Sequence, residues 1–339
     1  MGATEAARSR VESEAVAAAA GDESAFAALT ERYRAELQVH CYRILGSFEE
    51  SEDLVQETFL RAWRRRESFE GRSTFRAWLY AIATNACLDA LKRRPRLVAA
   101  HAGARSLAEV PWLQPYPDRL LEGLASEDDG PEDAVVAKET IELAFIAAIQ
   151  LLPARQRVAL IARDVLGWSA AETAALLDVS VAAANSALQR ARATMKKHLP
   201  RRRMEWVQGS DPSAEERDLL ERFVEATERG DATAMVELMR EDAFFAMPPE
   251  AEWQFGNQAI VDAWVKGGFG SETFGHLRCV LTRVNAQPAV AVYLRRPDDT
   301  KYRAFAIDVL RLEVGKVTDI VAFELDEALR SALGLPPEL

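Results

Sequence analysis

Apolar positions recur at helical spacing through roughly the first two-thirds of the chain and then switch to alternation. From about residue 22 the pattern is helical and closes in the basic run "LKRRPR", which predicts a helical first domain over 1–96. Residues 97–133 cluster Pro and Gly and turn acidic, predicting a linker with at most short helices. Over 134–204 the helical pattern returns: Ile141, Ala144, Phe145, Ala148, Ile149 and Leu152 keep the i, i+3, i+4 spacing of one buried face. A second short linker spans 205–212. In 213–339, helical stretches at about 213–229 and 231–240 precede alternating runs such as "RAFAIDVLRLEV", where Phe305, Ile307 and Val309 point one way. That alternation predicts strands, and no solenoid repeat interrupts it.

Within the second helical block, Ser169 with Glu172 three residues on has the form of a capping box, "LLDVS" makes a tight turn, and Ser180 caps a further helix. Val181, Ala184, Leu188 and Ala191 turn inward on that helix, leaving Asn185, Gln189, Arg190 and Arg192 toward solvent. This is a helix-turn-helix layout, whose second helix enters the DNA major groove. Asn and Gln suit adenine edges, while Arg190, Arg192, Lys196 and Lys197 suit phosphate or guanine. No carboxylate follows Asp178 on this helix, as phosphate contact requires. An ordinary helix pair with a solvated basic face is the alternative that the pattern leaves open.

Charge sharpens the division. The whole chain of 339 residues carries a net −11, of which 213–339 carry −9 and 1–212 only −2. Acidity therefore does not argue against nucleic-acid binding by the first two domains. Cys41, Cys87 and Cys279 lie far apart with no CxxC spacing, and the four histidines never pair at ligand spacing, so neither a metal nor a cofactor is expected. The alanine-rich start is broken by Glu and Asp and lacks the form of a signal peptide, and no apolar run approaches a transmembrane length. A cytoplasmic location with no membrane partner is the expectation.

In the first domain, one helix sets Asp53, Gln56, Glu57 and Arg64 on one side against Val55, Phe59, Ala62 and Trp63 on another. After "FEGRS", a second helix carries Phe75, Trp78 and Tyr80 near its start and Asn85, Asp89, Lys92, Arg93 and Arg94 further on. Rings beside amides and cations suit unpaired DNA, because bases stack while cations hold the backbone. Core packing is the competing reading for each ring, above all for Trp78.

The stretch "EDLVQETFLRAWRRRESFEGRSTFRAWLYAIATNACLDALKRR", followed by "LLPARQRVALIARDVLGWSAAETAALLDVSVAAANSALQRARATM", resembles regions 2 and 4 of an extracytoplasmic-function (ECF) sigma factor of the sigma-70 family. The resemblance covers most of residues 22–200. It implies that Asp53, Gln56 and Glu57 dock on the beta-prime clamp helices of RNA polymerase core, with region 4 meeting the beta flap. It further implies that the loop Phe69 to Thr74, with Arg72 and Ser73, and the helix bearing Phe75, Trp78, Asn85, Asp89, Lys92 and Arg93 capture the unpaired minus-10 element. Ser180, Asn185, Gln189, Arg190, Arg192 and Lys196 would contact the minus-35 duplex, and an acidic linker such as 109–142 would follow the path of nascent RNA. Where many family members have Lys-Ser-Arg in the recognition helix, this chain has Asn185, Ser186 and Ala187, so no promoter sequence carries over.

The last domain resembles the SnoaL-like branch of the nuclear transport factor 2-like superfamily, an α+β cone of helices on a curved sheet. The expected architecture is thus multidomain: two all-α sigma domains, a region 2 bundle and a region 4 helix-turn-helix, followed by that cone. Phe245, Met247, Trp253 and Trp264 are the candidate lining of a small-molecule pocket, with Phe244, Phe255 and Phe323 as further aromatics. The resemblance implies modulation of sigma activity in cis by a non-enzymatic domain. The alternative is a bifunctional protein whose last domain is isomerase- or cyclase-like, with Asp242 or Asp262 as base. A buried acid in the cone would keep that alternative open; its absence would favour sensing. The C-terminal run with Phe323, Leu325, Leu329 and Leu333 is either a regulatory latch or the closure of the domain's own core.

Overall fold

The computed structural model describes residues 13–69, 71, 74–94, 110–121, 141–198, 212–250 and 253–339, and divides into two compact units, 1–106 with 120–204 and 107–119 with 205–339. In the first unit, α1 (Glu23–Leu45) begins where the Asp22 carboxylate accepts the amides of Ser24 and Ala25. It ends at Gly46, whose φ of 71° only glycine adopts easily. A side chain there would also meet Gln150, whose atoms lie 3.0 Å from where a Cβ would sit. Helices α2 (Phe48–Arg64) and α3 (Phe75–Leu91) follow, capped by the hydroxyls of Ser47 and Thr74. Leu37, Ile44, Val55, Leu79 and Ala83 are buried in this bundle.

Helix α4 (Leu143–Gln150) departs from the one-faced expectation, for Leu143, Phe145, Ile146, Ala147, Ala148, Ile149 and Gln150 are all buried. It lies inside the unit, with α1 on one side and the last helix of the block on the other, so few of its positions reach water. Helix α5 (Ala154–Leu160) runs into a π turn, Ile161–Val165. It carries a buried Arg157 that donates to the Ile44 carbonyl, to Oε1 and O of Gln150 (2.6 and 2.7 Å) and to the Leu152 carbonyl (3.2 Å). Burial pulls this guanidinium down to about 9, and carbonyl dipoles take the place of water around it. These bonds tie the end of α1 to the second helical block. Helices α6 (Ala170–Leu177) and α7 (Val181–His198) complete the unit.

His40 is buried on α1 with Nε2 2.8 Å from the Thr84 hydroxyl on α3, and burial lowers it to about 3. Its folded pKa lies below the unfolded value of 6.5, so the unfolded chain takes up the extra proton between them. The contribution is complete above pH 6.5 and lost as pH falls toward 3, which amounts to about 2–3 kcal/mol at pH 4.5. Urea unfolding at pH 7 and 4.5 checks this. The loss should shrink in His40→Gln, and an undiminished loss in that variant would contradict the assignment.

In the second unit, α8 (Ala214–Arg229) and α9 (Ala232–Leu238) lead into a six-stranded sheet of order β2-β1-β6-β5-β4-β3, with α10 (Asn257–Lys266) between β2 and β3. The strands are β1 (Met239–Ala246), β2 (Trp253–Phe255), β3 (His276–Val284), β4 (Gln287–Arg295), β5 (Arg303–Glu313) and β6 (Lys316–Glu324). Among the described residues, β1 and β6 are the strands that pair in parallel. Val290, Val292, Leu310 and Ile320 face the helices and join Leu220, Phe223 and Ile260 in one core. The free edge of β3 is capped in part by Glu228, which accepts the Cys279 amide at 2.9 Å. On the opposite face, Tyr293 donates to the Pro336 carbonyl (2.9 Å), and α11 (Glu327–Leu333) buries Leu329 beside the buried Leu325 and Leu335. Leu325 and Leu329 of the proposed latch thus help close the domain's own core, while Leu333 stays half-buried.

The linker expectation needs revision. Residues 110–119, drawn from the middle of the 97–133 stretch, belong to the second unit, where Val110, Leu113 and Tyr116 are buried. Asn285 and Ala286 form the two-residue β3–β4 turn with φ of 56° and 57°, as a type I′ hairpin requires. That turn grips the segment. The Tyr116 amide donates to Asn285 Oδ1 (2.7 Å), the Asn285 amide to the Tyr116 carbonyl (2.9 Å), and the Ala286 amide to Asp118 Oδ1 (2.7 Å). Arg119 donates to the carbonyls of Ser331 (3.2 Å) and Ala332 at the end of α11. Among the described residues, no helix is long and apolar enough to cross a membrane, and no cluster of His, Cys, Asp or Glu could hold a metal.

Candidate polymerase and nucleic-acid interfaces

On α2, Asp53 and Gln56 are exposed and Glu57 is half-buried, three positions on one helical stripe. The stripe continues to Leu60, 52% exposed, an apolar residue whose side chain the bundle does not cover. Sequence reasoning passed over Leu60, although the i, i+3, i+4, i+7 spacing from Asp53 marks it. Glu57 accepts from Arg61 Nε (2.7 Å), which holds its carboxyl below the usual range. Arg61 also reaches Asp89 on α3 (3.7 Å), and Asp89 accepts from Lys92 (2.8 Å). Lys92 and Arg61 hold the Asp89 carboxyl low, so this acid is ion-paired on α3.

Phe69, Phe75 and Trp78 form a triangle of rings with centroids 5.4–5.5 Å apart. Phe75 is buried, whereas Trp78 and Phe69 keep part of their surface in water. Core packing therefore accounts for Phe75 and only partly for Trp78. Asn85 is exposed further along α3, and Lys92 and Arg93 are exposed just past its end; Arg72 and Ser73 lie outside the described residues.

The turn into α7 has the expected geometry. Ser169 and Glu172 make both bonds of a capping box (2.7 and 3.2 Å), Asp178 takes the left-handed conformation at φ 52°, and Ser180 accepts the Ala183 amide at 3.2 Å. Ala184, Leu188 and Ala191 are buried as predicted, but Val181 is 45% exposed. Asn185, Gln189, Arg190, Arg192 and Lys196 are all exposed along α7. Two are engaged within the unit: Arg190 donates to Ser186 Oγ (3.1 Å), and Arg192 makes a bidentate pair with Asp164 (2.9 and 2.5 Å). If α7 meets a DNA duplex, Asp164 would compete with phosphate for Arg192. Asp164→Asn should tighten duplex binding and steepen its salt dependence by about one counterion, whereas Arg190→Ala should flatten it by about one. Fluorescence anisotropy over a salt series checks both, and an Asp164→Asn slope equal to that of the parent chain would contradict the competition.

In the last unit, Phe245 and Trp264 meet edge to face at 5.4 Å on the helix side of the sheet. Trp253 does not join them. Its register partner is Ala246, and its ring packs toward Phe244 at 6.2 Å, so alternation puts it on the opposite face. Phe323, opposite Ile307, is also away from the helices, Phe255 is 55% exposed, and Met247 is half-buried just beyond β1. The two candidate bases are on the surface: Asp242 pairs with Arg240, and Asp262 accepts from Gln258 (2.8 Å). The acids withdrawn from water are others. Asp319 is held by Thr318 (3.1 Å) and Arg311 (3.5 Å), and Asp308 lies mid-strand on β5, where burial raises it to about 7. Of the two, Asp319 is buried and Asp308 half-buried, so the criterion of a buried acid is met by a residue that sequence reasoning did not single out.

Comparison with known proteins bears on the family of the chain. Family profiles for Sigma-70 region 2, Sigma-70 region 4 and a SnoaL-like domain match residues 29–97, 142–195 and 220–320. The ECF RNA polymerase sigma factor SigG of Mycobacterium tuberculosis is 40% identical over 324 residues, covering 93% of this chain and 85% of its own. SigW of Bacillus subtilis is 32% identical over 179 residues, 53% of this chain and 91% of SigW. The crystal structure of the Mycobacterium tuberculosis extracytoplasmic function sigma factor SigJ shares the fold, with a TM-score of 0.59 at 22% identity over 91% of this chain and 99% of SigJ. With region 2, region 4 and the appended domain matched in order and a relative this similar along nearly its whole length, the chain belongs to the ECF RNA polymerase sigma factors, in the form that carries a SnoaL-like domain.

Proposed function

We propose that the three surfaces divide the work of transcription initiation, and that the C-terminal unit governs it through residues 110–119. The acidic stripe of α2, with Leu60 at its end, is the polymerase-docking face. The ring cluster and the exposed end of α3 take the unpaired minus-10 strand, and α7 reads the minus-35 duplex. On this reading the protein acts in the cytoplasm with polymerase core and promoter DNA as partners. One observation carries the regulatory reading: the chain between regions 2 and 4 is gripped by the β3–β4 turn and the end of α11. Whatever holds that segment limits how far the two DNA-reading regions can separate, because the remaining stretches on either side must span the gap. The C-terminal unit therefore acts on the sigma regions without a separate partner.

Transcription from a supercoiled template by polymerase core plus this chain tests the assignment. Asn85→Ala should lower permanganate reactivity of the minus-10 thymines while leaving binding to a minus-35 duplex intact. Normal melting by that variant would remove Asn85 from the minus-10 site.

A further inference from the structure

Helix α7 opens on three apolar side chains that the fold leaves in water. After the Ser180 cap come Val181, Ala182 and Ala183, all exposed, and Val181 keeps 45% of its surface in water where the helical pattern predicted burial. The first side chain of this helix to be buried is Ala184. Local structure does not call for a valine at the front of the helix. Its branched side chain loses rotamer freedom there and makes it a poorer helix former than the alanines that follow.

The polar groups of α7 come later along the helix. Asn185 and Gln189 are exposed one and two turns on, and Arg190, Arg192, Lys196 and Lys197 follow. Before them, the Ser180 hydroxyl accepts the Ala183 amide at 3.2 Å. The exposed face therefore runs from an apolar first turn through amides to cations, with no carboxylate on it. In a helix-turn-helix on a duplex, the N-terminal turns of the second helix meet base edges, while cations hold phosphate. Valine and alanine side chains can neither donate nor accept a hydrogen bond. What they can recognise in the major groove is the one apolar group a base presents there, the C5 methyl of thymine.

We propose that Val181 is a specificity-determining residue of the minus-35 site, packing its side chain against the C5 methyl of a thymine that faces the first turn of α7. The proposal rests on the reading of α7 as the duplex-binding helix, and it names the base feature which that turn selects. Uracil offers the same hydrogen-bonding groups as thymine and lacks only the methyl, so exchanging the two isolates this contact. Burying one such group is worth about fourfold in affinity, from about 0.8 kcal/mol per carbon. The exposed amides of Asn185 and Gln189 read other edges, and their contribution is the same on both duplexes.

The test uses polymerase core loaded with the full chain, with core alone as the blank. Duplexes randomised over about one helical turn are selected for chain-dependent binding, and each thymine of the selected duplex is then replaced singly by deoxyuridine. At one thymine the parent chain should bind about fourfold more weakly without the methyl. Val181→Ser should bind the thymine and uracil duplexes equally, and Val181→Thr, which keeps a methyl, should restore the preference. Arg190→Ala should weaken both duplexes alike and leave their ratio unchanged. A selected duplex without thymine, tolerance of uracil at every position by the parent chain, or a preference undiminished in Val181→Ser would each overturn the proposal while leaving α7 as the duplex reader. Absence of any chain-dependent enrichment would remove the duplex reading of α7 and the proposal with it.

Discussion

Reversing Asp53 and Glu57 to lysine is expected to weaken binding to RNA polymerase core by about a hundredfold, the scale of placing like charges where an interface has opposite ones. Both residues lie on the stripe of α2 that the bundle leaves open, and neither supports the core that Val55, Phe59 and Ala62 bury on the other side of the helix. Asp53→Lys touches no ion pair among those described. Glu57→Lys breaks the bond to Arg61, which retains Asp89 as a partner at 3.7 Å. Circular dichroism should therefore show an unchanged fold. Leu60→Ala should act more mildly on the same face, since an exposed leucine ringed by polar groups is the usual form of an interface anchor. A titration against immobilised core that gave the parent affinity for Asp53→Lys/Glu57→Lys would remove α2 as the docking face.

Local signals in the sequence carried much of the first unit. The capping box at Ser169, the left-handed Asp178 and the Ser180 cap are interactions between residues two to four positions apart, so periodicity and residue type suffice to read them. The all-round burial of α4 was not legible, because it depends on the packing of the second block against α1, mediated by Arg157 and Gln150 more than 100 positions from Arg43 and Ile44. The segment 110–119 was read as linker for a similar reason. Its Pro-rich pattern has no period, and its partner Asn285 is 169 residues from Tyr116. Asp308 was missed because the run "RAFAIDVLRLEV" was read for one face only. The other face places a single acid between Ala306 and Leu310, which the same alternation makes visible. Phe305, expected to align with Ile307 and Val309, is 39% exposed next to an irregularity in the β4–β5 ladder, where strict alternation fails.

The structure also changes which perturbation isolates the role of the C-terminal unit. Deleting residues 325–339 would strip buried Leu325, Leu329 and Leu335 from that unit, so lost activity could follow from unfolding alone. Asp118 and Arg119 are better targets. Both are polar, both sit outside the buried apolar set, and together they bond the held segment to Ala286, Arg283 and the end of α11.

Run-off transcription with saturating core, comparing the full chain with Asp118→Ala/Arg119→Ala, measures the coupling most directly. If the C-terminal unit governs the sigma regions through residues 110–119, the variant should remain folded, bind core with parent affinity and change its initiation rate by about threefold or more, the effect of about 0.7 kcal/mol of coupling. Initiation at the parent rate, with loss of the Tyr116 amide's hydrogen-exchange protection confirming that the segment had been freed, would contradict regulation through this contact.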